Sequence, residues 1–231
     1  MFFDPKYLLF VGPGMLLALI ATIKVRMTFS KYSQVPSRLG ATGAESARRL
    51  LDQQGLRDVA VEPIGGMLSD HYDPTTRTLR LSPEVYNSHS LAAIGVACHE
   101  AGHALQHATG FAWLGMRTAL VPATQFGSFG SYIFFLIGMF FHSPQLILAG
   151  ALLFAVVVAF SLVTLPVEWD ASARARRLMV SAGIVSHQEQ EDAARVLNAA
   201  FMTYVASAVT SLLTLLYYLY RAGLLGGRRN D

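Results

Sequence analysis

His99, Glu100 and His103 form the sequence His99-Glu100-Ala101-Gly102-His103. A helix turns roughly 100° per residue, so side chains four positions apart share a face. His99 and His103 can therefore offer two imidazoles to one ion. Glu100 is turned off that line yet stays within reach of a water beside the ion. Neutral imidazole suits zinc, and an incomplete protein ligand set leaves a position for a reacting water. A neighbouring carboxylate can take that water's proton as it attacks a carbonyl. The spacing predicts one Zn2+ per chain, with Glu100 as general base. The chemistry requires a helix here, and the run from Leu91 to His107 reads as one, opening on an apolar stretch to Cys98.

What must position these residues is unusual in composition. Of 231 residues, 53% are hydrophobic and 14% charged, with a mean hydropathy of +0.40. Average soluble domains carry about a quarter charged residues, so the chain reads as a membrane protein. The formal charge is only +3, and no basic run is interleaved with aromatics, which excludes nucleic acid as a partner. Cys98 is the one cysteine, which rules out an internal disulfide; facing away from the two histidines, it reads as a small core residue. Four blocks have spanning length: Leu8 to Ile23, Ala119 to Phe141, Gln145 to Leu165 and Met202 to Tyr220. The first, with Gly12-Pro13-Gly14, lacks the features of a cleaved signal and reads as an anchor. His142-Ser143-Pro144 joins the middle two into a hairpin, for which Gly127, Ser128, Gly130 and Ser131 supply small packing residues. Tyr217, Tyr218, Tyr220 and Arg221 read as an interfacial anchor.

Four spans place both termini on one side and both polar segments on the other. Of the 18 Lys and Arg, all but Lys6, Arg221, Arg228 and Arg229 fall with the polar segments, which predicts that the catalytic part is cytoplasmic. The fold class expected is a mostly α membrane protein: about four transmembrane helices and a small α+β, zincin-like cytoplasmic part. Its divisions are an anchor (1–29), a soluble segment with the HExxH helix (30–116), a transmembrane hairpin (117–166), a segment with the third ligand (167–200) and a final span with its tail (201–231).

Within the soluble segment, Thr42 and Glu45 have capping-box spacing before a helix with Ala44, Ala47, Leu50 and Leu51 on one face and Gly55 as its stop. Val59 to Val61 reads as a strand. Met67–Tyr72 and Arg77–Leu81 read as a hairpin around Asp73-Pro74-Thr75-Thr76. Ser82 with Pro83, and Ser90, open further helices; Ser186 and Glu189 repeat the capping box before the last one. An exposed edge strand could hold an extended peptide substrate, or the hairpin could simply cover the zinc helix.

A third ligand follows from connectivity. The membrane hairpin returns to the face it left, and Pro166-Val167-Glu168-Trp169-Asp170-Ala171-Ser172 comes next. Glu168 would complete a His2Glu zinc set with room for water. Asp170 points elsewhere and could brace a histidine's second ring nitrogen. His107, a turn beyond His103, is left as an outer or surface histidine; His71, His89, His142 and His187 read as ordinary polar residues. Candidate oxyanion donors are Tyr72, Tyr86, His71 and Arg174, although Arg174 could instead pair with Asp170 or lipid phosphate.

The linked strings Gly66-Met-Leu-Ser-Asp-His-Tyr-Asp-Pro74, Leu81-Ser-Pro-Glu-Val-Tyr86, His99 to His103 and Leu165 to Ser172 resemble the bacterial membrane zinc metallopeptidases of the YugP type over nearly the whole chain. That family is distantly similar to the HtpX-type and CAAX-processing proteases, whose HExxH is followed, beyond membrane spans, by Glu-x-x-Ala-Asp. Glu168 and Ala171 match that pattern, and Ser172 stands where those proteases have Asp. The resemblance implies proteolysis and supplies no substrate; location in the bacterial inner membrane, as a multi-pass protein, is what suggests membrane or membrane-proximal proteins as substrates, with the oligomeric state unspecified. The alternative is a non-catalytic, zinc-stabilised membrane scaffold or regulator. Glu100 favours the enzyme, since it would ligate nothing and serves only chemistry.

Overall fold

A computed structural model describes residues 4–66 and 68–225. In chain order the elements are α1 (Pro5–Tyr32), α2 (Gly43–Gln53), β1 (Ala60–Pro63), β2 (His71–Asp73), β3 (Thr78–Leu81), α3 (Pro83–Tyr86), α4 (Leu91–Ala108), α5 (Ala112–Phe140), α6 (Pro144–Ser181) and α7 (His187–Arg221). The protein is thus mostly helical with one small sheet. Helices α1, α5, α6 and α7 are each long and apolar enough to cross a membrane.

The chain divides into two compact units. One draws on Met1–Ala21, Met116–Leu165 and Thr203–Asp231; the other comprises Thr22–Gly115 and Pro166–Met202. In the first, Val11, Phe135, Ile147, Ala151, Tyr217 and Tyr218 form the buried core. Phe135 stacks on Tyr218 at 4.0 Å between ring centroids. Gly150 lets α5 and α6 approach closely, because a Cβ there would lie 2.9 Å from the Ser131 carbonyl oxygen. Tyr217 Oη donates to Asp4 Oδ2 at 2.8 Å, and Arg221 pairs with the same oxygen at 3.1 Å.

The second unit carries the chemistry-bearing residues. Its sheet has the order β1-β3-β2, with β1 parallel and β2 antiparallel to β3. Leu79 and Leu81 of the central strand are wholly buried while Arg80 is half-buried, as their alternation in sequence requires. They join Leu50, Leu51, Ile94, Met179 and Ile184 in one apolar core. Each such side chain contributes about 1.5–3 kcal/mol by leaving water. Thr42 accepts from Glu45 N while Glu45 accepts from Thr42 N, so the capping box of α2 is complete. The box at Ser186 and Glu189 is likewise complete. Ser90 caps α4 by accepting from Ala93 N at 3.2 Å.

Three details differ from the sequence expectation. Ser82 does not cap α3 through its side chain: its hydroxyl donates to Asp70 at 3.0 Å, a charged acceptor that outcompetes a helix end. The hairpin's first strand is shorter than expected and begins at His71; Met67 lies outside the described residues, as do Arg228 and Arg229. Finally, α6 continues beyond the span expected to end at Leu165. It runs through Pro166 to Ser181, so Glu168 sits mid-helix.

Candidate metal centre

Two helices build the centre. Helix α4 supplies His99 and His103, whose ring centroids are 4.8 Å apart at 82°. Helix α6 supplies Glu168. One nitrogen from each histidine and one Glu168 oxygen all lie within 4.8 Å of one another. Glu168 Oε2 is 3.2 Å from His99 Nε2 and 3.7 Å from His103 Nε2. The structure therefore brings together the three side chains that the sequence singled out as metal ligands.

The close approach depends on Gly102. A Cβ at that position would stand 2.6 Å from the Ala171 carbonyl oxygen, so only glycine lets α4 settle against this part of α6. Glu168 is 2% exposed. Burial works against its ionised form, but hydrogen bonds from both histidines outweigh that and hold its pKa well below the usual carboxylate range. For His103, burial opposes the charged ring, while Glu168 and the nearby Glu100 more than offset it and raise the pKa.

The outer nitrogens are held as a metal site requires. His103 Nδ1 donates to Gln106 Oε1 at 3.0 Å. The amide orientation is set from its other end, where Gln106 Nε2 donates to Val167 O at 2.7 Å and Asp170 Oδ2 at 2.9 Å. Oε1 can only accept, so Nδ1 carries a proton, which leaves Nε2, on the Glu168 side, as the nitrogen that a neutral His103 would offer to a metal. Ser172 Oγ stands 3.1 Å from His99 Nδ1 and can accept its proton in the same way. Imidazole and carboxylate donors converging from two helices, with their second nitrogens engaged elsewhere, fit Zn2+ in kind and number.

Asp170 thus reaches a ligand only through Gln106, and it also accepts from Arg174 Nε at 2.6 Å. That pairing leaves Arg174 committed to Asp170, the role the sequence offered as an alternative to oxyanion binding. Gln106 itself was missed. The available signal was a polar side chain three residues beyond His103 and seven beyond His99, on the helix face that the two histidines share. Ser172 occupies a position where an aspartate was the reference, and its hydroxyl meets the histidine there.

Glu100 is 9% exposed and forms no hydrogen bond or ion pair with another described residue. Its carboxylate oxygens are not among the buried side-chain atoms left without a partner, so the group keeps access to solvent next to His99. Cys98 is fully buried, and burial pushes its thiol up to about 12, in keeping with an inert core residue. Tyr72 Oη and His107 Nδ1 meet at 2.9 Å. Tyr86 packs against the apolar core, and His71 Nδ1 bonds to Ser69 O at 2.7 Å.

The described residues thus hold a two-histidine, one-glutamate cluster that could take a metal and four helices long and apolar enough to cross a membrane. The family described as "Putative neutral zinc metallopeptidase" matches residues 7–223, and the chain belongs to that family. It is similar to the "Putative membrane protease YugP" of Bacillus subtilis (strain 168), at 48% identity over 198 residues, covering 86% of this chain and 88% of the relative. No solved structure matches it.

Proposed function

We propose that the protein is a zinc-dependent endopeptidase of the bacterial inner membrane, hydrolysing peptide bonds of membrane or membrane-proximal proteins at the cytoplasmic face. The reading is carried by the convergence of His99, His103 and Glu168 within 4.8 Å. These three residues would hold one zinc in the manner of a gluzincin. Zinc, when bound there, would polarise the scissile carbonyl and acidify an adjacent water.

Glu100 takes the proton from the attacking water and delivers it to the departing amide nitrogen, so one water is consumed and an amine and a carboxylate result. Gln106 and Ser172 keep the two imidazoles in the tautomer and orientation that present Nε2. The edge strand β2 offers backbone groups to an extended substrate, and Tyr72 on it is a hydroxyl donor, its phenol raised by burial above the ordinary value.

The test is Glu100→Gln in purified, zinc-loaded protein. Zinc content should stay at one per chain while cleavage of an unfolded membrane-protein reporter falls by about 10²–10⁴-fold. Unchanged cleavage with zinc retained would refute the mechanism, and loss of zinc along with activity would refute the division of roles.

A further inference from the structure

The second unit contains a cavity of about 870 Å³ that includes none of His99, His103 and Glu168. Trp169 lines it although the preceding residue is Glu168, because consecutive residues on a helix point roughly 100° apart. Lys24 and Lys31 from α1, Arg176 from α6 and Arg195 from α7 supply its charge. Met27, Trp169, Phe201 and Met202 supply its apolar wall, where the Trp169 and Phe201 rings meet edge-on at 5.3 Å.

No carboxylate lines this cavity. Arg195 donates to Tyr32 Oη at 3.2 Å and lies 3.8 Å from Asp192, and Lys31 Nζ stands 5.2 Å from the Tyr32 ring centre. Among the described residues Lys24, Lys31 and Arg176 have no ion-pair partner. Four cations line the cavity and, among the described residues, only Arg195 has an acidic partner, so the set calls for an anion. The apolar wall, with Trp169 58% exposed, calls for hydrocarbon as well. The lining residues of α1 follow its apolar stretch, and those of α7 precede its own or, with Met202, begin it, which is the depth of lipid headgroups. Basic pockets between helices at that depth suit anionic headgroups.

We propose that this cavity binds an anionic membrane phospholipid, its phosphate among Lys24, Lys31, Arg176 and Arg195 and an acyl chain against Met27, Trp169, Phe201 and Met202. A soluble phosphate would have no use for the apolar wall, and a neutral lipid none for the cations.

The experiment titrates delipidated full-length protein in detergent with dioleoyl phosphatidylglycerol or dioleoyl phosphatidylcholine and counts bound lipid by native mass spectrometry. Phosphatidylglycerol should bind at about tenfold lower concentration, as charged contacts of this kind allow. Lys31→Gln with Arg176→Gln should erase that preference. Lys24→Gln, an exposed change that leaves no partner stranded, should weaken it. Arg26→Gln removes the same charge from the same helix outside the cavity and should leave it intact. Phe201→Ser should weaken both lipids, and millimolar inorganic phosphate should not displace either.

Equal binding of the two lipids would overturn the proposal. So would an Arg26→Gln loss equal to that of the cavity variants, or complete displacement by inorganic phosphate or by an acidic peptide without acyl chains.

Discussion

At the scale of single residues, the side chains behind the histidines decide how well an ion is held. Gln106 is buried and makes three hydrogen bonds that join His103, Val167 and Asp170. Gln106→Ala strands an acceptor and a ring proton in the interior, which costs about 1–3 kcal/mol of stability. Zinc affinity should drop by about 10–100-fold, the usual effect of losing a histidine's outer partner, as read by competition with a chromogenic chelator. Ser172 gives a converse test. Ser172→Ala should weaken zinc binding, whereas Ser172→Asp supplies a carboxylate to His99 Nδ1 and should restore or exceed the parent affinity. Equal affinity in the two variants would mean that the 3.1 Å contact does not orient the ring.

Between elements, the approach of α4 to α6 is the decisive contact, and glycine spacing sets it. Gly102→Ala drives a methyl into the Ala171 carbonyl at 2.6 Å, with backbone on the far side and no flexible neighbour to yield. It should destabilise the protein by about 1–3 kcal/mol and lower zinc affinity. Gly95 on the same helix is the control, because a Cβ there meets nothing closer than 3.4 Å. Gly95→Ala should be neutral or should gain up to about 1 kcal/mol of helix propensity.

The N-terminus of α7 adds a pH dependence. Burial opposes the charge on Glu189, but bonds from Arg38 N and Ser186 N prevail and lower its pKa. Its stabilising effect is therefore present above the ordinary carboxylate pKa and is lost as pH falls through the depressed folded value. Thermal melting of Glu189→Gln between pH 7 and pH 3 should show a shallower acid decline than the parent.

Local signals such as the two capping boxes were legible because both partners lie within one turn. Glu168 was legible from connectivity, and the HExxH spacing from helix periodicity. Gln106 and the Asp70–Ser82 bond were not, because each depends on a partner delivered by a separate segment. The full lengths of α1, α6 and α7 were hidden for a related reason: an apolar stretch marks only the part suited to lipid, while the hydrogen-bonded helix continues through polar residues.

For the molecule as a whole, four spans and the segregation of Lys and Arg predict that residues 24–116 and 166–200 are cytoplasmic and that the short α5–α6 connection faces outward. Cys98 makes this directly measurable, since its thiol is buried and pushed up to about 12 and will not react in the folded protein. A single introduced cysteine then reports alone. Asp58→Cys removes an exposed pairing with Arg77, which costs at most about 1 kcal/mol, and Gln145→Cys lies on the exposed first turn of α6. A membrane-impermeant maleimide should label Gln145→Cys in intact cells and Asp58→Cys only after permeabilisation. The reverse pattern would put the His99–His103–Glu168 cluster outside the cell and leave the basic residues on the side that positive charge ordinarily avoids. Labelling of both in intact cells would mean an odd number of crossings between residues 58 and 145 is wrong, and with it the assignment of α5 as a span.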